Sequence, residues 1–390
     1  MKTLLVGYKV QDLFEVDRRG ARHPASWLDG DITCHTFDIY HCHAIENSSC
    51  GVRAVCSPHL PKDDWDLIKF KTGPKLMSGE LSLNLLQEIH LLHPKRFELE
   101  FVGRERDRND LLAKIKDNPD RVRDFSATWP ASVPGGQKLM LTSFPGCFCH
   151  RRVDDGGLAL AEVVARELSA NSPLDGSTRS ALSANSPLDG RGVSPRRPRS
   201  AHIPRAKRAA QAVARGVRAA PTMNILDMGC GCGLVGFLVA SSLSDSHEAP
   251  GTVSPERSEP RQRSLEGCAA APHESTIRLV MVDSHTRAVE AANLNAEKLG
   301  IPAEVILSDN GTPAQMDGSF DVFVGNPPYY SDYKIADIFL ETAQRALKHG
   351  GVCYTVCKNA DGLEPVQRRY FPEVEIIRRR GYAVLKSVKN

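Results

Sequence analysis

Apolar residues in this chain fall into short runs set apart by polar turns, and the spacing changes from run to run between the periods of strand and helix. In the C-terminal half, MNIL, IRLVMV, EVIL, FDVFVG, VCYTVC, VEII and YAVLKSV predict seven strands. Helical runs at about 207–219, 286–299 and 334–348 separate several of them. Val289, Ala292, Ala296 and Leu299 share one face of the second of these helices, and Gly300 stops it. Such alternation implies a mainly parallel sheet flanked by helices, with ligands at the carboxyl ends of the strands. Up to about residue 150 the runs TLLVGYKV, HTFDIYHC, WDLIKF, FELEFVG and KLMLT read as strands. Leu81, Leu85, Ile89 and Leu92 recur at helical spacing, and Arg106 to Asp117 reads as a polar surface helix. Both halves are therefore α/β.

Two stretches break the pattern. Residues 168–206 and 241–276 are rich in Ser, Pro and Gly and hold no aromatic residue, so they bury too little apolar surface to offset chain entropy and are expected to be flexible insertions. The first repeats LSANSPLDG at 168–176 and 182–190, a local duplication rather than a solenoid. What remains of the 390 residues is two ordinary domains, expected at 1–150 and 151–390. Composition is globular, with 41% hydrophobic and 25% charged residues, and no apolar run approaches the ~18 to 20 residues that span a bilayer. The start, MKTLLVGYKVQD, is too short in apolar residues for a secretory signal, and eleven cysteines are too sparse for a disulfide scaffold. A cytoplasmic protein with reduced thiols, away from membranes, is the expectation. The net charge of +3 neither demands nor forbids a nucleic-acid partner.

The strand MNIL leads into Asp227, Met228, Gly229, Cys230, Gly231, Cys232 and Gly233. Alternate glycines bring backbone close to a ligand, and the following helix offers free amides and its positive end, which implies a nucleotide-like cofactor. Gly231, Gly233 and Gly236 also satisfy GxGxxG, the dinucleotide fingerprint. Asp227 favours another ligand: an acid just before the glycines would repel a pyrophosphate but suits the ammonium and sulfonium end of S-adenosylmethionine. Asp283 ends strand IRLVMV, where a carboxylate can accept from both ribose hydroxyls, and Asp309 follows EVIL, where it can accept from the adenine amine. Either acid alone would read as a helix cap or loop acid; their order behind the glycine loop changes that reading. After FDVFVG come Asn326, Pro327, Pro328 and Tyr329. The prolines fix the backbone, the Asn326 amide oxygen and the Pro327 carbonyl can accept from a planar NH2 group, and Tyr329 offers a stacking face. That is a clamp for an exocyclic amine or an amide, with catalysis by positioning.

These residues, with FPGCFCHRRVDDGGLAL, ILDMGCGCG, VMVDSHTRAVEAANLNAEKLGI and DIFLETAQRALKHGG, resemble the methyltransferase-small family, most closely its small-subunit ribosomal RNA guanine-N2 methyltransferases. The resemblance covers residues 141–164 and 223–390. It implies a class I, Rossmann-like methyltransferase fold with a seven-stranded mainly parallel sheet, and a segment at Asp154 and Gly156 that closes over the site. It further implies that Asp227, Gly229, Gly231, Gly233, Asp283 and Asp309 hold S-adenosylmethionine and that Asn326 binds the target amine. Residues 65–117 resemble, more weakly, the family's N-terminal half, a degenerate duplicate domain without a cofactor loop, which would shape RNA binding or support the fold. The implied partner is ribosomal RNA or the small ribosomal subunit. The two insertions depart from the family pattern, as does Tyr330 after Tyr329. Because NPPY also occurs in adenine-N6 and protein glutamine-N5 methyltransferases, those acceptors stay open, beside a non-catalytic RNA-binding assembly factor. Glutamine-N5 enzymes usually carry a small helical domain first, unlike this α/β half.

Cys34, His35, His41, Cys42, His43, Cys50, Cys56 and His59 crowd together without a CxxC pair, and no metal is expected. Cys230 and Cys232 fit as small residues of a tight loop. Residues 191–208 hold seven Lys or Arg and no acid, which suits a solvated linker or an arm on RNA phosphate.

Overall fold

The computed structural model describes residues 1–116, 122–170, 223–245, 277–328 and 333–390. The helix expected at 207–219, most of both insertions, the basic run at 191–208 and Tyr329 lie outside the described residues.

Two twisted sheets form the frame. In the C-terminal half, Ala303–Leu307, Ile277–Asp283, Met223–Met228, Phe320–Gly325 and Leu347–Cys357 lie side by side and parallel, and Tyr382–Val388 and Glu375–Arg379 close the sheet antiparallel. All seven expected strands are present. Counted in chain order, they run 3-2-1-4-5-7-6. The N-terminal sheet is wholly parallel, in the order Arg53–Cys56, Asp31–Thr36, Lys2–Val6, Leu67–Thr72, Arg96–Phe101. Its count is 3-2-1-4-5, the same winding without the last pair. Each sheet has apolar side chains on both faces, with Leu4 and Phe70 opposite Leu5 and Ile32 in the first, and Ile225 and Val324 opposite Leu226 and Phe323 in the second. A doubly covered parallel sheet needs such continuous apolar strands.

Several local expectations change. The run HTFDIYHC is not one strand: the strand stops at Thr36, and Asp38 caps the helix Ile39–Glu46 by accepting from the Tyr40 amide at 2.9 Å. A short acceptor side chain competing for the backbone ends the strand there. The helix Asp155–Ala170 takes in the first residues assigned to one insertion, and Leu234–Asp245 those of the other. In the latter, Ser242 and Ser244 donate back to Leu238 and Ala240 carbonyls, so the serines continue the helix. The hairpin of Ala127–Ala131 and Leu139–Ser143 packs Trp129, Leu139 and Leu141 into the C-terminal core, although these residues precede 150.

Arg287, 1% exposed, pins the halves together. Its guanidinium donates to Pro58 O at 2.9 Å, Asn84 Oδ1 at 2.5 Å, Pro145 O at 3.0 Å and Glu88 Oε1 at 2.9 Å, and lies 4.5 Å from the Phe37 ring centre. All five partners precede the glycine loop in the chain, and three of the four acceptors, Pro58, Asn84 and Glu88, lie in the N-terminal half, so one C-terminal cation satisfies two N-terminal segments. Removing it takes the charged donor from Glu88, which keeps only the Leu60 amide at 2.9 Å and the exposed His59 ring, and from three other acceptors. Arg287→Leu is expected to lower unfolding stability by about 3 to 5 kcal/mol in chemical denaturation. A loss below about 1 kcal/mol would show that the pin contributes little.

Candidate active site

A cavity of about 560 Å³ opens at the carboxyl ends of the C-terminal strands. That is the size range of ligand sites. Its walls include Gly229, Gly231, Asp283, Asp309, Asn326, Pro327, Pro328 and Asp154. The structure therefore brings together most of the residues singled out in the sequence. Asp227, Gly233 and Gly156 stand immediately behind the wall and do not line it.

The glycine turn is held from below and from the side. Gly229 and Gly231 have φ of +69° and +56°, in the left-handed region that favours glycine. A Cβ on Gly229 would lie 2.6 Å from the Phe339 ring, whereas one on Gly231 would meet nothing within 4 Å, so Gly231 faces open space. Asp227, 2% exposed, accepts from the Gly236 amide at 2.8 Å and ties the turn to its helix. Asp283 accepts from the Gly231 amide at 2.9 Å and from the His285 amide at 2.9 Å. Burial pushes the Asp283 carboxyl up, and it pushes that of Asp227 up to about 7, with the nearby Asp283 charge adding to it.

Asp154 caps the helix Asp155–Ala170, accepting from the Gly157 amide at 2.7 Å and the Gly156 amide at 3.3 Å. The same carboxylate accepts from Asn326 Nδ2 at 2.6 Å. A carboxylate only accepts, so the Asn326 amide must turn its nitrogen toward Asp154, which leaves Oδ1 without a donor among the described residues. A Cβ on Gly156 would sit 3.1 Å from the Tyr382 ring, a tight contact that glycine avoids.

Charge at the wall is one-sided. Asp38, Asp154, Asp283 and Asp309 face the cavity, against Arg152 at the exposed rim and His285. Burial pushes His285 down to about 4, so it is neutral near pH 7. Such a site favours a cationic ligand over a pyrophosphate. Burial also pushes the wall thiols up, Cys147 to about 11 and Cys232 to about 12, which keeps them protonated. Among the described residues no group of three or more His, Cys, Asp or Glu could hold a metal ion. The N-terminal Cys/His run is dispersed: Cys34, Cys42 and Cys50 enter the core, His35 bonds Ser57 O at 2.8 Å, and His43 bonds Asp309 Oδ2 at 3.1 Å.

Sequence reasoning missed Asp38, His43 and the rim residues Phe148, Arg152 and Tyr382. Phe148 is 69% exposed at the mouth, and Lys358 Nζ lies 4.2 Å from the Tyr382 ring centre. An exposed aromatic and two cations within a methyltransferase-like motif were the available signal.

Residues 265–386 match the family model described as the methyltransferase small domain. Ribosomal RNA small subunit methyltransferase C of Haemophilus influenzae is 23% identical over 170 residues, 43% of this chain and 42% of that protein. The chain thus spans less than half the length of this relative. An uncharacterized Bacillus subtilis protein, YbxB, is 26% identical over 170 residues, 42% of this chain and 69% of that one. Release factor glutamine methyltransferase of Mycobacterium leprae is 37% identical over 76 residues, 19% of this chain and 26% of the relative. Among solved structures, a T. thermophilus 16S rRNA N2 methyltransferase, RsmC, in complex with AdoMet and guanosine, is similar over 100% of this chain and 88% of its own, with a TM-score of 0.61 and 14% identity. The C-terminal half has the class I methyltransferase fold.

The raised Asp227 carboxyl has a consequence for the C-terminal half's stability. A folded pKa of about 7 against an ordinary 3.8 means that the native state holds the proton longer, so stability falls as pH rises from about 4 to about 7 and the full penalty persists above. Asp227→Asn keeps an acceptor for Gly236 and removes the charge. It is expected to stabilise the ligand-free protein on the order of 2 to 4 kcal/mol at about pH 8, and by little at about pH 4, in thermal or denaturant unfolding. Equal effects at both pH values would contradict a buried, charge-penalised Asp227.

Proposed function

We propose that this chain transfers a methyl group from S-adenosylmethionine to the exocyclic N2 amine of a guanosine in small-subunit ribosomal RNA. The observation that carries the reading is the Asp154–Asn326 contact at 2.6 Å, which occupies the amide nitrogen of a residue lining an acid-walled cavity and reserves its Oδ1 as an acceptor. S-adenosylmethionine, when bound, supplies an electrophilic methyl on a positively charged sulfur. Gly231 would leave room for it, Asp283 and Asp309 on the cavity wall would hold its ribose and adenine, and Asp227 would add negative potential from beneath the turn. Asn326 Oδ1 accepts from the target amine, draws its lone pair out of conjugation and orients it. Buried Pro327 and Phe339 exclude water from one side. The methylated amine then gives up its extra proton to solvent at the mouth.

RNA as the substrate class is supported by the rim. Phe148 can stack on an extruded base, and Arg152 and Lys358 can bind phosphate beside it. We assign the N-terminal half, up to about residue 126, to a duplicate that binds no cofactor. Its first strand leads into Gly7, Tyr8 and Lys9 in place of Gly229, Cys230 and Gly231, and its second ends at Thr36 where the C-terminal one ends at Asp283. The chain is therefore expected to bind one cofactor.

Asn326→Ala is expected to leave S-adenosylmethionine affinity within a few-fold while single-turnover methyl transfer to ribosomal RNA falls about 10²- to 10³-fold, the usual cost of one oriented hydrogen bond at a reacting group. Near-normal transfer by this variant would sink the clamp. Asp283→Ala behaves in the opposite way: affinity measured by calorimetry is expected to drop at least about tenfold, since charge-assisted bonds to hydroxyls contribute about 1.5 to 3 kcal/mol. Unchanged affinity would remove Asp283 from the cofactor site.

A further inference from the structure

The halves meet where their second strands end. Ile39 N donates to Ser284 O at 2.9 Å and Thr286 N donates to Phe37 O at 2.7 Å, a reciprocal antiparallel bridge between Asp38 and His285. In each half the bridge residue stands two places after the last residue of that strand, Thr36 in one and Asp283 in the other. The contact is thus a local two-fold between the duplicates, made at the spot where only the C-terminal copy has its acid. Two side chains reinforce it. Asp38 Oδ2 accepts from Ser284 Oγ at 3.0 Å while its Oδ1 holds the Tyr40 amide, so both oxygens are committed. One turn further along the helix Ile39–Glu46, His43 Nδ1 meets Asp309 Oδ2 at 3.1 Å and leaves Asp309 Oδ1 free.

From this geometry we propose that the N-terminal half completes the cofactor site, with Asp38 and His43 as positioning residues for the end that receives adenosine. The inference rests on the reading of Asp283 and Asp309 as cofactor-holding acids. Residues 284–286 follow Asp283 directly, and Ser308 N donates to Asp283 O at 3.0 Å, so the two acid-bearing loops are already joined. The N-terminal half grips one loop through backbone and the other through His43. Without that grip, Asp309, whose side chain is 17% exposed, has another rotamer to choose toward water. A half that has lost its own cofactor site therefore stabilises its twin's by pre-organisation.

The test uses the full chain, S-adenosylmethionine alone, and calorimetry, with no RNA and no turnover. His43 is 51% exposed, so His43→Ala is expected to leave the melting temperature unchanged while weakening binding roughly three- to tenfold, less than a lost direct contact to a charged group. His43→Asn, whose amide nitrogen can replace Nδ1, is expected to restore most of the affinity. His43→Ala added to Asp309→Ala is expected to cost nothing beyond Asp309→Ala, because His43 acts through that acid. Lys95→Ala, on an exposed N-terminal side chain whose ion pair among the described residues is with Asp66, is expected to bind as wild type. Wild-type affinity in His43→Ala, beside a weakened Asp309→Ala, would overturn the positioning role alone. A wild-type chain that binds no S-adenosylmethionine would overturn both this inference and the reading beneath it.

Discussion

Two backbone hydrogen bonds, exchanged between residues 37–39 and 284–286, set the geometry from which the rest of the structure follows. They join the carboxyl ends of the parallel strands in two sheets, which in this class of fold are the ends that receive ligands. Neither sheet could present that end freely: one is turned into a support, and the other keeps the cavity. Arg287 lies one residue beyond the bridge, and its buried guanidinium locks the arrangement by satisfying acceptors from two N-terminal segments at once. The interface and the site are consequently a single construction. Anything that loosens the bridge acts on the loop that carries Asp283.

Acid concentration is the second organising feature. Four carboxylates face one cavity and a fifth, Asp227, is buried beneath its glycine turn. Burial raises the carboxyls of Asp227 and Asp283, with the Asp283 charge adding to the first and the Asp38 charge to the second, a cost that a ligand-free protein bears and a cationic ligand relieves. The same logic assigns the Asn326 amide. Asp154, held by two helix amides, dictates which way the amide turns, so a helix cap some 170 residues away in sequence decides which atom meets the substrate.

Much of this was legible in the chain because its signals are local. Seven apolar runs gave seven strands, Gly300 ended its helix with φ of +65°, and the glycine turn and the Asn326-Pro327-Pro328 segment both reached the cavity. Local chemistry also explains what went astray. HTFDIYHC has strand-like composition, but Asp38 is a better helix cap than a strand residue. The roles of Asp38 and His43 were invisible, since they depend on a contact between residues some 250 positions apart, and His43 drew attention only as part of a Cys/His run. The Asp154–Asn326 pairing was hidden for the same reason: each residue was marked, and their bond was not.

The central claim is that this site methylates a guanosine amine in RNA. The most direct measurement incubates the full chain with labelled S-adenosylmethionine and small-subunit ribosomal RNA, free and assembled, then digests the RNA and identifies the labelled nucleoside by mass spectrometry. The account expects label in N2-methylguanosine, in one or both substrates. Label in N6-methyladenosine, or none in RNA while a protein glutamine is methylated, would contradict it.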